Sequence, residues 1–250
     1  MIKKLFPWLL ALAWLLTIPA AAGADTVRIY PQAGDIVQMG CWPQSHSGYD
    51  RTPIEWIVLD IDEENGRALL ISRYLLEPVA YSDSLAPTTW ETSDLRRWFN
   101  GTFLYTAFTS EEQVKILYTE VDNSPSQGCR TWQVDGGGNT VDKVFALSYA
   151  ETRQYFGFTR RAQGILTDHA SRGGKSHCLI SDTEHPNGQR VGWWWMRSPG
   201  MNMTTAEAMT DDGPAVPYSI TEERICARPA FWLQLSPSAY SPKAPQDSPD

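Results

Sequence analysis

Between Trp193 and Leu235 the chain sets two short apolar runs around a polar one. Trp193-Trp194-Trp195-Met196-Arg197-Ser198-Pro199-Gly200 comes first, then the interval Met201 to Arg224, then Cys226-Ala227-Arg228-Pro229-Ala230-Phe231-Trp232-Leu233. Short apolar runs bounded by turn residues read as buried strands, and the interval as a loop-rich surface they hold up. Loops can vary while such a scaffold keeps its packing, which suits a binding protein without naming its ligand. The reading places the two runs side by side in one sheet, with the hydrophilic interval facing water.

The chain opens Met1-Ile2-Lys3-Lys4, is apolar from Leu5 through Ile18, and reaches Ala22-Gly23-Ala24 before Asp25. A basic start, a short apolar core and a small-x-small site describe a secretory signal peptide over residues 1–24. The core is shorter than the roughly 20 apolar residues of a membrane span, and Pro7 interrupts it. A secreted or cell-surface location is therefore expected, with no membrane span after cleavage. An uncleaved anchor is the other reading. Removing residues 1–24 takes away two lysines and no acid, which moves the net charge from -8 to -10. So acidic a chain repels phosphate backbones, and nucleic acid is not an expected partner.

Cys41, Cys129, Cys178 and Cys226 all follow the signal segment. In an oxidising compartment an even count permits two disulfides, in connectivities the spacing does not choose between; four free thiols is the other reading. None forms a Cys-x-x-Cys pair, and no metal site is expected.

Asp62-Glu63-Glu64-Asn65-Gly66 separates two apolar runs, Ile54 to Ile61 and Ala68 to Tyr74, and Asn-Gly there predicts a hairpin. Thr92 or Ser93 caps a helix bearing Leu95, Trp98, Phe99 and Phe103 on one face. Ser110-Glu111-Glu112-Gln113 reads as a capping box that opens a second helix, with Val114, Leu117 and Tyr118 inward. Ser148-Tyr149-Ala150-Glu151 repeats that box and opens a helix through Phe156. Asp122 to Asn139, with Gly136-Gly137-Gly138, reads as a mobile loop, and Thr159 to Arg190 as a further polar insertion. The stretch 236–250, rich in Pro and Ser, reads as a disordered tail. Strands at both ends with helices between them predict one α+β domain over residues 25–235, its N- and C-terminal strands joined in a mostly antiparallel sheet.

An ordered series of blocks carries a resemblance. Gly34-Asp35-Ile36-Val37 with Gly40, Pro53 to Leu59, Ala68 to Ser72, Trp90 to Asn100 with Phe103 and Ala107-Phe108, Asp142 to Ser148, Met196 to Gly200 and Ala227 to Leu233 follow in turn. Together they resemble a bacterial family of domains of unknown function, DUF6273, from about Gly34 to Leu235. That family looks like a branch of the C-type-lectin-like fold, shared with formylglycine-generating enzymes and with the variable proteins of diversity-generating retroelements. The resemblance implies two or three helices, long loops, and a ligand-facing region between the Arg-Ser-Pro-Gly and Arg-Pro-Ala blocks. Diversified relatives are rich in Asn and Tyr there, whereas Met201 to Arg224 holds Pro214, Pro217, Asp211-Asp212, Glu222-Glu223 and a single Tyr, Tyr218. The resemblance therefore carries the scaffold and not the diversification.

Within that region the candidate ligand-binding residues are Arg197, Asn202, Thr204, Glu207, Asp211, Asp212, Tyr218 and Arg228. Arg197 and Arg228 suit bidentate recognition of an anion, or a structural pairing with an acid such as Glu55 or Asp94. Asp211-Asp212-Gly213 is either ligand-facing or a turn. Of the Trp triplet at most one side can meet a ligand, because successive strand residues face opposite ways. Formylglycine-generating enzymes hold copper with a close pair of cysteines late in the chain; Cys178 and Cys226 stand 48 residues apart. His169, His177 and His185 match no metal spacing, and no Gly-x-Ser-x-Gly, His-Glu-x-x-His or phosphate loop occurs. No cofactor is expected. The function that follows is non-catalytic binding of an extracellular glycan or protein through residues 201–224. The alternatives are a metal-dependent enzyme related to formylglycine-generating enzymes and a structural cell-surface module.

Overall fold

Turn chemistry sets the first sheet of the computed structural model, which describes residues 31–172, 178–184 and 188–235. Its strands are β1 (Ile36–Trp42), β2 (Thr52–Asp62), β3 (Arg67–Ser72) and, from the far end of the chain, β15 (Ala230–Gln234). The Asp62 carboxylate accepts from Asn65 N at 3.0 Å, Asn65 Nδ2 at 2.9 Å and Arg67 Nε at 2.8 Å. Gly66 supplies the left-handed φ of 59° that turns the chain into β3. The expected hairpin forms, its reversal spread over Glu63 to Gly66 rather than confined to Asn-Gly. The order β1-β2-β3-β15 is antiparallel throughout, so N- and C-terminal strands do meet in one sheet. The expected signal segment and the tail at 236–250 lie outside the described residues.

The other strands are β4 (Tyr74–Leu75), β5 (Glu77–Pro78), β6 (Thr119–Val121), β7 (Thr140–Asp142), β8 (Gly164–Leu166), β9 (Ile180–Glu184), β10 (Arg190–Gly192), β11 (Trp194–Pro199), β12 (Thr205–Met209), β13 (Ala215–Ser219) and β14 (Cys226–Ala227). They make a sheet β4-β8-β10-β9, a sheet β13-β12-β11-β14-β5 and a ribbon β6-β7. The protein is thus α+β, with mostly antiparallel sheets and a few short helices. Among the described residues no helix is long and apolar enough to cross a membrane.

The two framework runs share a sheet only at the start of the second, which corrects the expectation that they lie side by side throughout. Of the second run, β14 alone lies in the sheet of the tryptophan strand β11, paired with it in parallel at Trp194 and Cys226. Pro229 has no N–H to continue that ladder. Past it the chain passes to the first sheet, where Phe231-Trp232-Leu233 pairs with Leu70-Leu69-Ala68. Trp194 and Trp195 are both fully buried, because β11 is the middle strand and both its faces are covered. The interval also departs from the expectation: β12 and β13 form a hairpin in which Ala206 through Asp211 are buried.

Helix α1 (Asp94–Trp98) is capped by Ser93, whose side chain accepts from Arg96 N at 3.1 Å. The apolar stripe runs on through a π-helical turn, Phe99–Phe103, into α2 (Leu104–Ala107), with Leu95, Phe99 and Phe103 fully buried. For α3 (Ser110–Lys115) the cap is Thr109, one residue before the expected Ser110. Glu112 explains the shift. Its Oε2 accepts from Thr109 N at 2.8 Å while Oε1 accepts from Gly40 N at 2.9 Å, so one carboxylate both closes the capping box and ties α3 to β1. The helix is also shorter than expected: Ile116, already extended at its C-cap, is buried, while Val114 on α3 and Tyr118 beyond its end, both expected inward, are exposed. Thr109→Ala should cost about 1 kcal/mol and Ser110→Ala a few tenths, read as chemical-denaturation midpoints; equal costs would place the cap at Ser110.

The box at Ser148 forms as expected and opens α4 (Tyr149–Phe156), which Gly157 ends at φ 70°. The last helix is α5 (Asp168–Arg172). Residues 122–139 are pinned rather than loose. Asn123 Nδ2 donates to Gly138 O at 2.9 Å, Ser198 Oγ donates to Gln127 O at 2.8 Å, and Arg197 Nη2 donates to Asp122 O at 3.0 Å. Gly136 comes so close that a Cβ there would stand 2.3 Å from Asn123 O. That contact is the reason a glycine is needed at this place.

Candidate functional site

The hairpin of β12 and β13 has two faces of different chemistry. Residues paired across antiparallel strands share a face, and successive residues alternate. The pairs Ala206 with Tyr218 and Ala208 with Val216 therefore lie on one side, and Glu207 with Pro217 on the other.

On the Tyr218 side the Trp193 ring meets Tyr218 edge-on, centroids 5.4 Å apart at 85°. Asp211 Oδ1 accepts the Trp193 indole N–H at 2.9 Å, which holds the ring in place. Both rings are half-buried, so each keeps an edge toward solvent. Trp193 is thus the member of the triplet left at the surface. Asp211 itself is buried, Asp212 is exposed, and Gly213 takes φ 100° in the turn between the strands. The two readings of Asp-Asp-Gly hold together: Asp211 builds the turn and Asp212 points outward from it. At the opposite end of the hairpin Asn202 Oδ1 accepts from Thr204 N at 2.9 Å and from Thr204 Oγ1 at 2.8 Å, a local turn that keeps Asn202 exposed beside Met201. An open depression of about 410 Å³ lies against Ser219, Thr221, Glu222, Glu223 and Arg224. There Glu222 and Arg224 pair at 2.8 Å, which lowers the carboxyl pKa.

On the other side stands Glu207, 1% exposed. Desolvation raises its pKa to about 7, opposed by a hydrogen bond from the Trp132 indole. Its Oε1 has no hydrogen-bond partner. No lysine, arginine or histidine among the described residues pairs with it. Beside it the Tyr149 phenol is pushed up to about 12, first by burial and then by its hydrogen bond to Cys129, with the Glu207 charge adding to the rise. Trp132, Tyr149 and Cys129 come from the 122–139 loop and from α4. Of these four residues the sequence marks Glu207 as a ligand-binding candidate and Cys129 as a disulfide candidate, and it marks neither Trp132 nor Tyr149. The capping box that starts α4 at Tyr149 was legible, but nothing in its spacing linked it to Glu207.

The two arginines lie elsewhere. Arg197, 2% exposed, makes a two-pronged ion pair with Glu151, with Nη2 to Oε1 at 2.9 Å, and donates to Ala146 O at 3.0 Å. Its partner is the acid of the α4 capping box and neither of the two suggested: Glu55 pairs with Arg73 and Asp94 with Arg97. Arg228 pairs with no acid among the described residues. Its guanidinium lies 4.9 Å from the Trp194 ring and 5.3 Å from the Phe156 ring, donates to Ser72 O and Ala162 O, and is lowered by burial to about 10. Both side chains are structural here and present no surface to a ligand.

Cys178 and Cys226 form a disulfide, Cα atoms 6.1 Å apart, while Cys41 and Cys129 are free. Burial, and then the Glu112 charge, raise the Cys41 thiol. His169 Nε2 lies 2.9 Å from Glu77 Oε2; His177 and His185 are outside the described residues. Among the described residues no three His, Cys, Asp or Glu side chains group as a metal-holding set.

The family described as Domain of unknown function (DUF6273) matches this chain over residues 65–235. The chain belongs to that family. No curated protein and no solved structure matches it. The DUF6273 span starts in the turn before β3 and ends just past β15, so both faces of the hairpin, the loop with Trp132 and the disulfide all lie inside it.

Proposed function

We propose that this DUF6273 domain is a non-catalytic ligand-binding domain, secreted or displayed at the cell surface, which takes a glycan or protein ligand where Trp193 and Tyr218 come to the surface along β13, called here the outer face of the β12–β13 hairpin. The observation that carries the reading is the half-buried Trp193–Tyr218 pair, locked by Asp211 and flanked by exposed Asp212. A ring fixed before binding loses little entropy on contact, and its apolar face beside hydroxyl-binding carboxylates suits the alternating C–H and O–H surface of a sugar. Asn202 and Thr204 extend the polar rim. Arg197 and Arg228 leave the ligand-facing set because both side chains are buried. The Cys178–Cys226 disulfide supports an oxidising compartment. For the fold, antiparallel sheets that unite both chain ends with a few short helices between them are the features by which we assign a C-type-lectin-like architecture.

The copper-enzyme alternative needed Cys178 and Cys226 as thiolates, and their sulfurs are bonded to each other. A glycan array together with a pull-down from extracellular proteins tests the binding reading. The expected result is a ligand whose affinity falls about tenfold in Trp193→Ala, the loss of one good aromatic contact, and disappears when Asn202, Thr204, Asp212 and Tyr218 are all replaced by Ala. Undiminished binding by the fourfold variant, or no ligand in either screen, refutes it.

A further inference from the structure

The inner face of the same hairpin poses a separate question. Glu207 sits between two alanines on a buried strand, where apolar side chains ordinarily stand. An unpaired buried carboxylate is among the least favourable groups a fold can hold, and mutational drift to Gln or Leu would relieve it. Its oxygens face a loop tip of particular build. Trp132 N and Gln133 N both donate to Cys129 O, at 3.2 and 3.1 Å, and Gln133 is held at φ 49°. Arg130 through Gln133 are exposed, whereas the loop's roots are pinned at Asn123, Gln127 and Gly136. Trp132, 40% exposed, reaches from this tip to the carboxylate. The ring is thus in contact with solvent on one side and with a buried anion on the other.

We propose that Glu207, roofed by Trp132, is a binding subsite for a primary ammonium group carried by a ligand. The charge requirement selects the class: among the described residues the site holds a carboxylate oxygen with no hydrogen-bond partner and no cation paired to it. Arg197, the nearby arginine of β11, is committed to Glu151. An ammonium donates to Oε1 and packs against the indole, so both groups favour the same ion. The titratable neighbours are the Tyr149 phenol on α4 and, through it, the Cys129 thiol on the loop and the Arg153 guanidinium on α4; Arg153 acts on the phenol and does not pair with Glu207. This site goes beyond the outer-face reading and stands on different residues.

The test is calorimetric titration of the full chain at pH 8 with two probes, N-acetyl-lysine N-methylamide and glucosamine, against their neutral counterparts, the norleucine analogue and glucose. The expected result is one site per chain for at least one amine and none for the neutral molecules. Affinity should drop at least tenfold in Glu207→Gln and in Trp132→Ala, and about tenfold or more at pH 5.5, where the carboxyl carries a proton. The tighter amine identifies whether a peptide or an amino sugar is the source. Saturation by neither amine, equal binding of the neutral partners, or unchanged affinity in both variants overturns the proposal. Trp132→Ala leaves the Glu207 carboxyl in place, so its result stands even where Glu207→Gln alters stability. The fourfold outer-face variant should bind the amine unchanged, which separates failure here from failure of the glycan or protein reading.

Discussion

Reducing the Cys178–Cys226 disulfide should lower the stability of this DUF6273 domain by roughly 4 kcal/mol, the chain-entropy cost of releasing a closed loop of this size. The bridge spans 48 residues. Within that loop lie β9, β10, β11 and the β12–β13 hairpin, which is to say both faces of the candidate site. Around the bridge the backbone is already knitted: Leu179 N donates to Arg224 O at 2.6 Å and Cys226 N to Trp193 O at 2.9 Å. Native strain is therefore not what the bridge relieves, and its contribution is felt mainly in the unfolded chain. Guanidinium unfolding of the oxidised protein and of a Cys178→Ser, Cys226→Ser double variant measures the difference. Equal midpoints would show that the bridge does not hold the hairpin to the scaffold.

The second large effect belongs to Glu207. A carboxyl raised from its ordinary value to about 7 binds a proton more tightly in the folded chain than in the unfolded one. Its contribution is fully present below the unfolded pKa near 4.5 and is lost as pH rises through about 7. At about 1.4 kcal/mol per unit of pKa, the loss across that window is about 3 kcal/mol. Glu207→Gln cannot ionise and keeps an oxygen for the Trp132 indole. Thermal unfolding of the variant should therefore be nearly flat from pH 5 to pH 8, and the variant should exceed the wild type by about 3 kcal/mol at pH 8 while matching it at pH 5. Acids of opposite behaviour bound the window from below. Asp122 is lowered chiefly by the backbone N–H of Ser124, and Glu222 by Arg224, so their contributions fade only as pH falls through their folded pKa values. Parallel pH profiles for wild type and variant would contradict the assignment of this slope to Glu207.

These residues also show what could be read before the fold was seen. Local signals were legible wherever a side chain acts on its own backbone: the turn at Asp62 to Gly66, the Ser93 cap and the Ser148 box all formed. Ser110 misled because Thr109 offers the same hydroxyl one residue earlier, and the carboxylate that closes the box there, Glu112, is also held by Gly40 on β1, 72 positions from it. Long-range partners were hidden for the same reason. Arg197 takes Glu151, an acid that the capping motif had seemed to use up, and Arg228 takes two carbonyls and two rings in place of an acid. The break after β14 was written in Pro229, but a proline says only that a ladder stops and not which sheet the chain joins next. In the hairpin, strict alternation from Thr205 to Ser219 could have separated Tyr218 from Glu207. Nothing in the sequence says that the loop at Trp132 folds over the second of them.

The pH dependence and the ammonium subsite both require Glu207 to be a buried, uncompensated carboxyl. Following the Glu207 side-chain carboxyl carbon by NMR from pH 4 to pH 9 measures this directly. A single titration with midpoint near 7, moved down when a primary amine is added, is the predicted result. A midpoint near 4.5, that of a solvated glutamate, would contradict both the burial and the ammonium subsite built on it.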